Sequence, residues 1–210
     1  MTTVVVLAKE CLPGRVKTRL HPPFSLEEAA ALAAASLEDT LEAVSRVRAD
    51  RHLLWFEGEA PERTGFEVLP QPAGGLDERI ASAFDATEGR TVLVGMDTPQ
   101  LDPAVLQRVL DEQGAGAWFG PASDGGWWAL GLDDRERRGD LVRGVPMSTG
   151  FTGEVQLSRL LTSGLRVRRL PRLTDVDTVG SAREVAAAAP ATRFAARLHD
   201  LEARRSDAAA

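Results

Sequence analysis

Two short, uninterrupted apolar runs constrain this chain most: residues 3–8 (T-V-V-V-L-A) and residues 91–95 (T-V-L-V-G). Runs of this length without polar alternation read as strands covered on both faces, and such strands belong to parallel sheets flanked by helices. The intervening segments carry helical periodicity. Ser25 followed by Glu28 forms a capping box, and Leu26, Leu32, Leu37, Leu41 and Val44 recur on one face behind it. Asp102-Pro103 is an N-cap with proline at the first helical position. Further strands are expected at 51–56, 66–69, 117–120, 127–132 and 165–170. Helices are expected at 76–87, 103–113, 152–162 (capped by Thr152) and 181–203. The order predicts an α/β fold: a single three-layer α/β/α domain over residues 1–205 with a mostly parallel central sheet, and a frayed tail at 206–210.

Composition narrows the function classes. The net charge of -6 argues against a general binder of nucleic acid or anionic membrane. One cysteine, Cys11, and three scattered histidines supply neither a disulfide framework nor a cysteine-histidine zinc site, and Cys11 reads as inert. No run approaches the roughly 18 apolar residues of a membrane span, so a soluble cytoplasmic protein is expected. The 25 basic residues divide into 23 arginines and 2 lysines, and both lysines, Lys9 and Lys17, fall in one segment near the N-terminus. A compact ammonium kept there and nowhere else points to a chemical task.

In open α/β sheets ligands bind beyond the carboxyl ends of the strands, so the segments after the strands are the candidates. The first strand is followed by K-E-C-L-P-G-R-V-K-T-R-L, with Lys9, Arg15, Lys17 and Arg19 inside one Pro-Gly loop. Four cations in an acidic protein form a cradle for a diphosphate or triphosphate, and with few apolar anchors the loop is expected to be mobile without ligand. It is not a Walker loop, because Lys17-Thr18 lacks the preceding glycine. The T-V-L-V-G strand is followed by M-D-T-P-Q-L-D, where Asp97 either holds a divalent cation against a phosphate or closes an Asx-turn. Asp102 is explained by its cap alone. G-P-A-S-D-G-G-W-W around Asp124, Gly125 and Gly126 reads as a hairpin turn or as room for a ligand. P-M-S-T-G brings Ser148 and Thr149 to a helix start, where hydroxyls suit phosphate or substrate contacts. L-T-D-V-D-T supplies Asp175 and Asp177, either of which could be a second metal ligand.

Taken in order, K-x-x-x-P-G-x-x-K-T-R-L, G-x-D-x-P-x-L, G-P-x-x-D-G-G-x-W, P-x-S-T and D-x-D-T resemble a bacterial glycosyltransferase family of GT-A-like, nucleotide-diphospho-sugar transferase fold. That family is associated with radical-SAM or selenium genes or with arsenosugar formation. It is more distantly similar to phospholactate and phosphoenolpyruvate guanylyltransferases. The resemblance spans residues 4–187. It implies that Lys9, Gly14, Arg15, Lys17 and Arg19 bind phosphates and that Gln71, Gly74, Gly75 and Leu76 approach the nucleotide. It also implies that Asp97 binds Mg²⁺ or Mn²⁺ with Asp175 or, second, Asp177, and that Asp124, Gly125, Gly126, Ser148 and Thr149 line the acceptor side. Lys9, Lys17 and Asp97 would be catalytic. Met96, Met147 and Val179 depart from the family's usual residues, which bears on the acceptor more than on the fold. The implied partners are a nucleotide or nucleotide sugar and a small acceptor, with no nucleic acid and no membrane. Nucleotidyl transfer to a phosphorylated or carboxylate acceptor is the leading reading, because a four-cation loop suits pyrophosphate. Glycosyl transfer and a non-catalytic nucleotide-binding protein are the alternatives.

Overall fold

The computed structural model describes residues 1–134 and 136–209. Seven strands form one sheet: β1 (Thr2–Lys9), β2 (Arg51–Glu57), β3 (Glu67–Pro70), β4 (Arg90–Gly95), β5 (Ala117–Pro121), β6 (Trp127–Leu132) and β7 (Val167–Arg169), in the order β3-β2-β1-β4-β6-β5-β7. All neighbours are parallel except β6, which runs antiparallel to both β4 and β5. The helices are α1 (Leu26–Ser45), α2 (Leu76–Asp85), α3 (Pro103–Asp111), α4 (Thr152–Thr162), α5 (Val179–Ala188) and α6 (Arg193–Ala209).

The two apolar runs lie at the centre of the sheet because they are covered twice. Val4 and Val6 pack with Val92, Val94 and the stripes of α1 and α3, while Val5 and Leu93 pack with α2 and Leu160 of α4 on the other face. A third cluster joins Leu20, Phe24 and Leu32 to Val176, Val185, Phe194 and Leu198, so α5 and α6 lie over the outer side of α1. Buried Asp39 of α1 accepts the Phe194 amide at 2.8 Å and the Arg193 amide at 3.0 Å, capping the start of α6 from another helix. The capping boxes at Ser25 and the Asp102 cap form as the sequence requires.

Four boundaries differ from expectation. The expected last helix is split, because the residue before Pro190 is pushed out of the helical region: Ala189 has φ -135° and ψ 66°. α6 then continues through 206–209, where composition suggests fraying; residue 210 lies outside the described residues. The last strand shortens to three residues on the sheet edge. Thr152 is the first helical residue rather than the cap, and its hydroxyl donates to Pro146 O at 2.8 Å, folding the preceding loop onto the helix. Among the described residues no helix is long and apolar enough to cross a membrane.

This topology positions the site. β1, β2, β3, β4, β5 and β7 all run the same way, so their carboxyl ends share one edge of the sheet. Register confirms the alignment: Lys9 lies opposite Glu57, and Leu7 opposite Gly95. The segments at 9–24, 71–75, 96–102, 122–126 and 170–178 therefore converge there.

Candidate active site

Beyond that edge lies a cleft of about 870 Å³, within the size range of small-molecule sites. It gathers residues far apart in sequence: Lys9, Arg15, Lys17 and Arg19 after β1, Gln71 and Leu76 near α2, Asp97 after β4, Asp124 and Gly126 before β6, Ser148 and Thr149 before α4, and Asp175 and Asp177 after β7. Gly14, Gly74, Gly75 and Gly125 do not line it. Gly14 and Gly74 form turns at φ +75° and +127°, and Gly75 is the N-cap of α2.

The cation loop is anchored, contrary to the expectation of a loop with few apolar contacts. Val16 and Leu20 are buried, in the first and third clusters respectively. Thr18–Leu20 form a 3-10 turn started by Lys17, which adopts a left-handed conformation at φ 48° and ψ 36°. The Lys17 ammonium stands 2.8 Å from Asp97 Oδ1, with its side chain only 10% exposed. Arg19 pairs with Asp177, and Lys9 Nζ donates to Arg15 O at 3.1 Å. Arg15 is exposed and has no ion-pair partner among the described residues. Two loop cations thus rest on the carboxylates that the motifs mark for metal. Among the described residues, the non-glycine residues with positive φ are Lys17, Arg137 and Ser148, and two of these three line the cleft. Backbone held in so sparsely populated a region is over-determined by its surroundings, as at ligand-binding sites.

Asp97 and Asp175 are brought together by the backbone: Val176 N donates to Asp97 O at 2.9 Å. Burial raises the Asp175 carboxyl above its ordinary range, the charges of Asp124 and Asp97 raise it further, and Lys17 opposes them. Asp177 is paired with Arg19. Among the described residues no group of three or more His, Cys, Asp or Glu side chains is placed to hold an ion. Thr178 and Ser181 cap α5, and Val179 follows as its first residue, the position that also admits proline.

Met96 is buried, and its thioether accepts the Lys9 amide at 3.4 Å, tying the ends of β1 and β4 together. Gln71 lines the cleft, but its amide nitrogen is spent on Ala8 O and Trp55 O, at 2.7 and 2.9 Å. Arg79 and Glu57 also line the cleft, and Arg79 is bound to both Glu57 and Gln71. Sequence reasoning missed this pair, since one more arginine on an amphipathic helix of an arginine-rich chain carries no signal. Burial pushes the Cys11 thiol up to about 11, aided by Asp97.

On the far side, Asp124 Oδ1 accepts the Gly126 amide at 2.7 Å, and Gly153 N donates to Gly125 O at 2.8 Å. Gly125 has φ +91°, and a Cβ there would stand 2.0 Å from Gly150 O. Gly125→Ala is therefore expected to destabilise the fold by about 1–3 kcal/mol, measured by urea denaturation, through strain and the forced separation of this turn from α4.

Residues 30–149 match the family described as an uncharacterized protein conserved in bacteria, DUF2064. The chain belongs to this family. The match includes Gln71, Asp97, Asp124 and Ser148 but stops short of the cation loop and of Asp175. Among solved structures, the DUF2064 chain is similar to a candidate nucleotide-diphospho-sugar transferase from Desulfovibrio desulfuricans G20, at 25% identity and a TM-score of 0.83, over 96% of this chain and 95% of that one. It shares its fold with Rv0371c of Mycobacterium tuberculosis H37Rv, solved in complex with manganese, at 23% identity and a TM-score of 0.55 over 88% and 96%. A cytidylyltransferase from Leptospira borgpetersenii serovar Hardjo-bovis (strain JB197) has the same fold at 13% identity and a TM-score of 0.55 over 98% and 95%. No curated protein matches the chain.

Proposed function

We propose that this protein is a divalent-metal-dependent transferase that moves a sugar from a nucleotide sugar to a small acceptor. The observation that carries the reading is the convergence of the loop cations with Asp97 and Asp175 in one cleft at the strand ends. Lys9, Arg15 and Lys17 would bind the donor phosphates, and Asp97 with Asp175 would hold Mg²⁺ or Mn²⁺. These residues fit such an ion: Mg²⁺ takes one or two carboxylates and keeps several waters, and beside Asp97 the hydroxyl of Thr98 is buried without a protein partner, which suits a metal-bound water. When bound, the ion draws off the negative charge that builds on a leaving diphosphate.

In the proposed reaction an acceptor oxygen bonds to the anomeric carbon and the bond from that carbon to the diphosphate oxygen breaks. The hydroxyl proton passes to Asp124, whose Oδ2 is not the oxygen held by Gly126, and a nucleoside diphosphate leaves. Lys17 exchanges Asp97 for the leaving group. Arg19 stays on Asp177, so the loop brings three cations rather than four to a leaving group. That favours glycosyl over nucleotidyl transfer, as does the likeness to the D. desulfuricans protein. The ordered motifs that resemble the radical-SAM-associated glycosyltransferases support the same reading.

The test is to incubate the full chain and Mg²⁺ or Mn²⁺ with panels of labelled nucleotide sugars and labelled nucleoside triphosphates. The expected result is release of a nucleoside diphosphate from a nucleotide sugar, abolished by a chelator. Pyrophosphate release from a triphosphate would move the assignment to nucleotidyl transfer. Tight nucleotide binding with no turnover of either panel would mark a binding protein.

A further inference from the structure

We infer that the donor nucleotide carries guanine or cytosine, read by Arg79 together with Glu57, and not uracil or adenine. The inference rests on the donor assignment just proposed and adds the identity of the base.

Strand order says where a base would lie. Along the sheet edge the order is β3-β2-β1-β4-β6-β5-β7. Lys9 and Lys17 stand at and after the end of β1, and Asp97 follows β4. The proton acceptor assigned above, Asp124, follows β5 on one side of them, so the base falls on the other side, over β2. Glu57 ends β2, two strands from β4, and neighbouring strands are about 4.8 Å apart. That leaves room for a ribose between the diphosphate and Glu57. Leu7, Leu76 and Ile80 line the cleft and pack in the second cluster, which supplies apolar walls for a flat ring.

Arg79 stands at this end with one edge uncommitted. Its carbonyl accepts the Trp55 indole N–H at 3.0 Å, and its Nη1 donates to Glu57 Oε2 at 2.5 Å and to Gln71 Oε1 at 3.2 Å. Gln71 is itself fixed on Ala8 O and Trp55 O. Nη1 lies on the Cδ side of the guanidinium. These bonds therefore leave the opposite edge, the fork of Nε–H and Nη2–H, without a protein partner among the described residues. Nε is buried, and an orphan donor on a cationic group is a cost that a ligand acceptor removes. Glu57 complements the fork: its Oε1 has no hydrogen-bond partner among the described residues, and its side chain is 54% exposed.

A planar fork takes two adjacent acceptors, and Glu57 takes a donor beside them. An anion would also fit the fork, but Glu57 already balances the charge of that guanidinium, which suits a neutral ring. Guanine offers N7 and O6 with N1–H next to them, and cytosine offers O2 and N3 with the N4 amine next to them. In uracil the two carbonyl oxygens are separated by N3–H. In adenine the ring nitrogens are separated by C–H or by the amine. The shared pattern of guanine and cytosine is the one that Arg79 and Glu57 complete.

The test is calorimetric titration of the full chain, with Mg²⁺, against GDP, CDP, UDP, ADP and inorganic pyrophosphate. GDP or CDP is expected to bind at least about tenfold more tightly than UDP and ADP, the discrimination of one bidentate contact. Whichever of the two leads names the base. Arg79→Lys keeps the charge but cannot span two acceptors, and there the preference is expected to fall toward one. Glu57→Gln, which replaces a carboxylate oxygen with a donor, is expected to lower the preference in the same direction, and circular dichroism checks the fold of both variants. Pyrophosphate binding together with UDP or ADP as tight as GDP and CDP, or a preference that survives either substitution, overturns this inference alone. Failure of pyrophosphate to bind overturns the donor assignment and this inference with it.

Discussion

Lys17→Ala is expected to weaken the binding of pyrophosphate or a nucleoside diphosphate by about ten- to a hundredfold, because one charge-assisted hydrogen bond to phosphate contributes about 1.5–3 kcal/mol. The same substitution is expected to strengthen the binding of Mg²⁺ or Mn²⁺ alone. The two effects have opposite signs because Lys17 and the ion compete for one carboxylate: the ammonium lies 2.8 Å from Asp97 Oδ1. An ion arriving by itself must displace a nearly buried lysine, whereas an ion arriving with a polyanion offers that lysine a new partner. Lys17→Arg is expected to restore phosphate binding only in part, since a forked guanidinium does not fit where a compact ammonium sits in a left-handed turn. Calorimetry with pyrophosphate, with Mg²⁺ and with both together reads all three effects. Unchanged pyrophosphate affinity in Lys17→Ala would return the loop to an ordinary solvated surface.

Asp97→Asn is expected to lower turnover by at least about a hundredfold while leaving the fold intact. The Asp97 side chain is 41% exposed, so it belongs to the cleft surface rather than to the core. An asparagine keeps a carbonyl oxygen for Lys17 but removes the charge that a divalent ion needs. Partly exposed ion pairs contribute about 0–1 kcal/mol, so the thermal midpoint is expected to move by less than about 4 °C. Diphosphate release at saturating donor, read beside a thermal melt, separates the two effects. Retained turnover in Asp97→Asn would remove this residue from the metal site.

What could be read from the sequence was what depends on near neighbours. The Ser25–Glu28 box, the Asp102-Pro103 start and the doubly covered runs at 3–8 and 91–95 are each fixed by a few adjacent residues, and all formed. The convergence of the post-strand segments was also legible, because parallel strands can only deliver their ends to one edge. The missing parts depend on distant partners. Nothing local to Val16 and Leu20 says that Val176 and Phe194 share a packed cluster with Leu20, so the cation loop reads as loose when it is seated. Gln71 looks like a ligand-facing amide until β1 and β2 present two carbonyls that occupy it. Gly125 reads as ligand room, but the space is taken by the Gly150 backbone. Pro190 was visible in the sequence, yet the alanines around it, good helix formers, masked the break.

That third cluster also sets an order of events. The segment at 9–24 is synthesised before Phe194 and Leu198, which complete the packing around Leu20 and Phe24. The sheet up to β6 can assemble on the emerging chain, with its charged loop still lacking the helices that brace it. Only when α5 and α6 fold down over α1, with Asp39 taking the first amides of α6, does the opening of the cleft acquire its resting posture. A loop made before α5 and α6 is seated only once they have folded. The nascent protein therefore reaches most of its architecture before its cation cradle is complete.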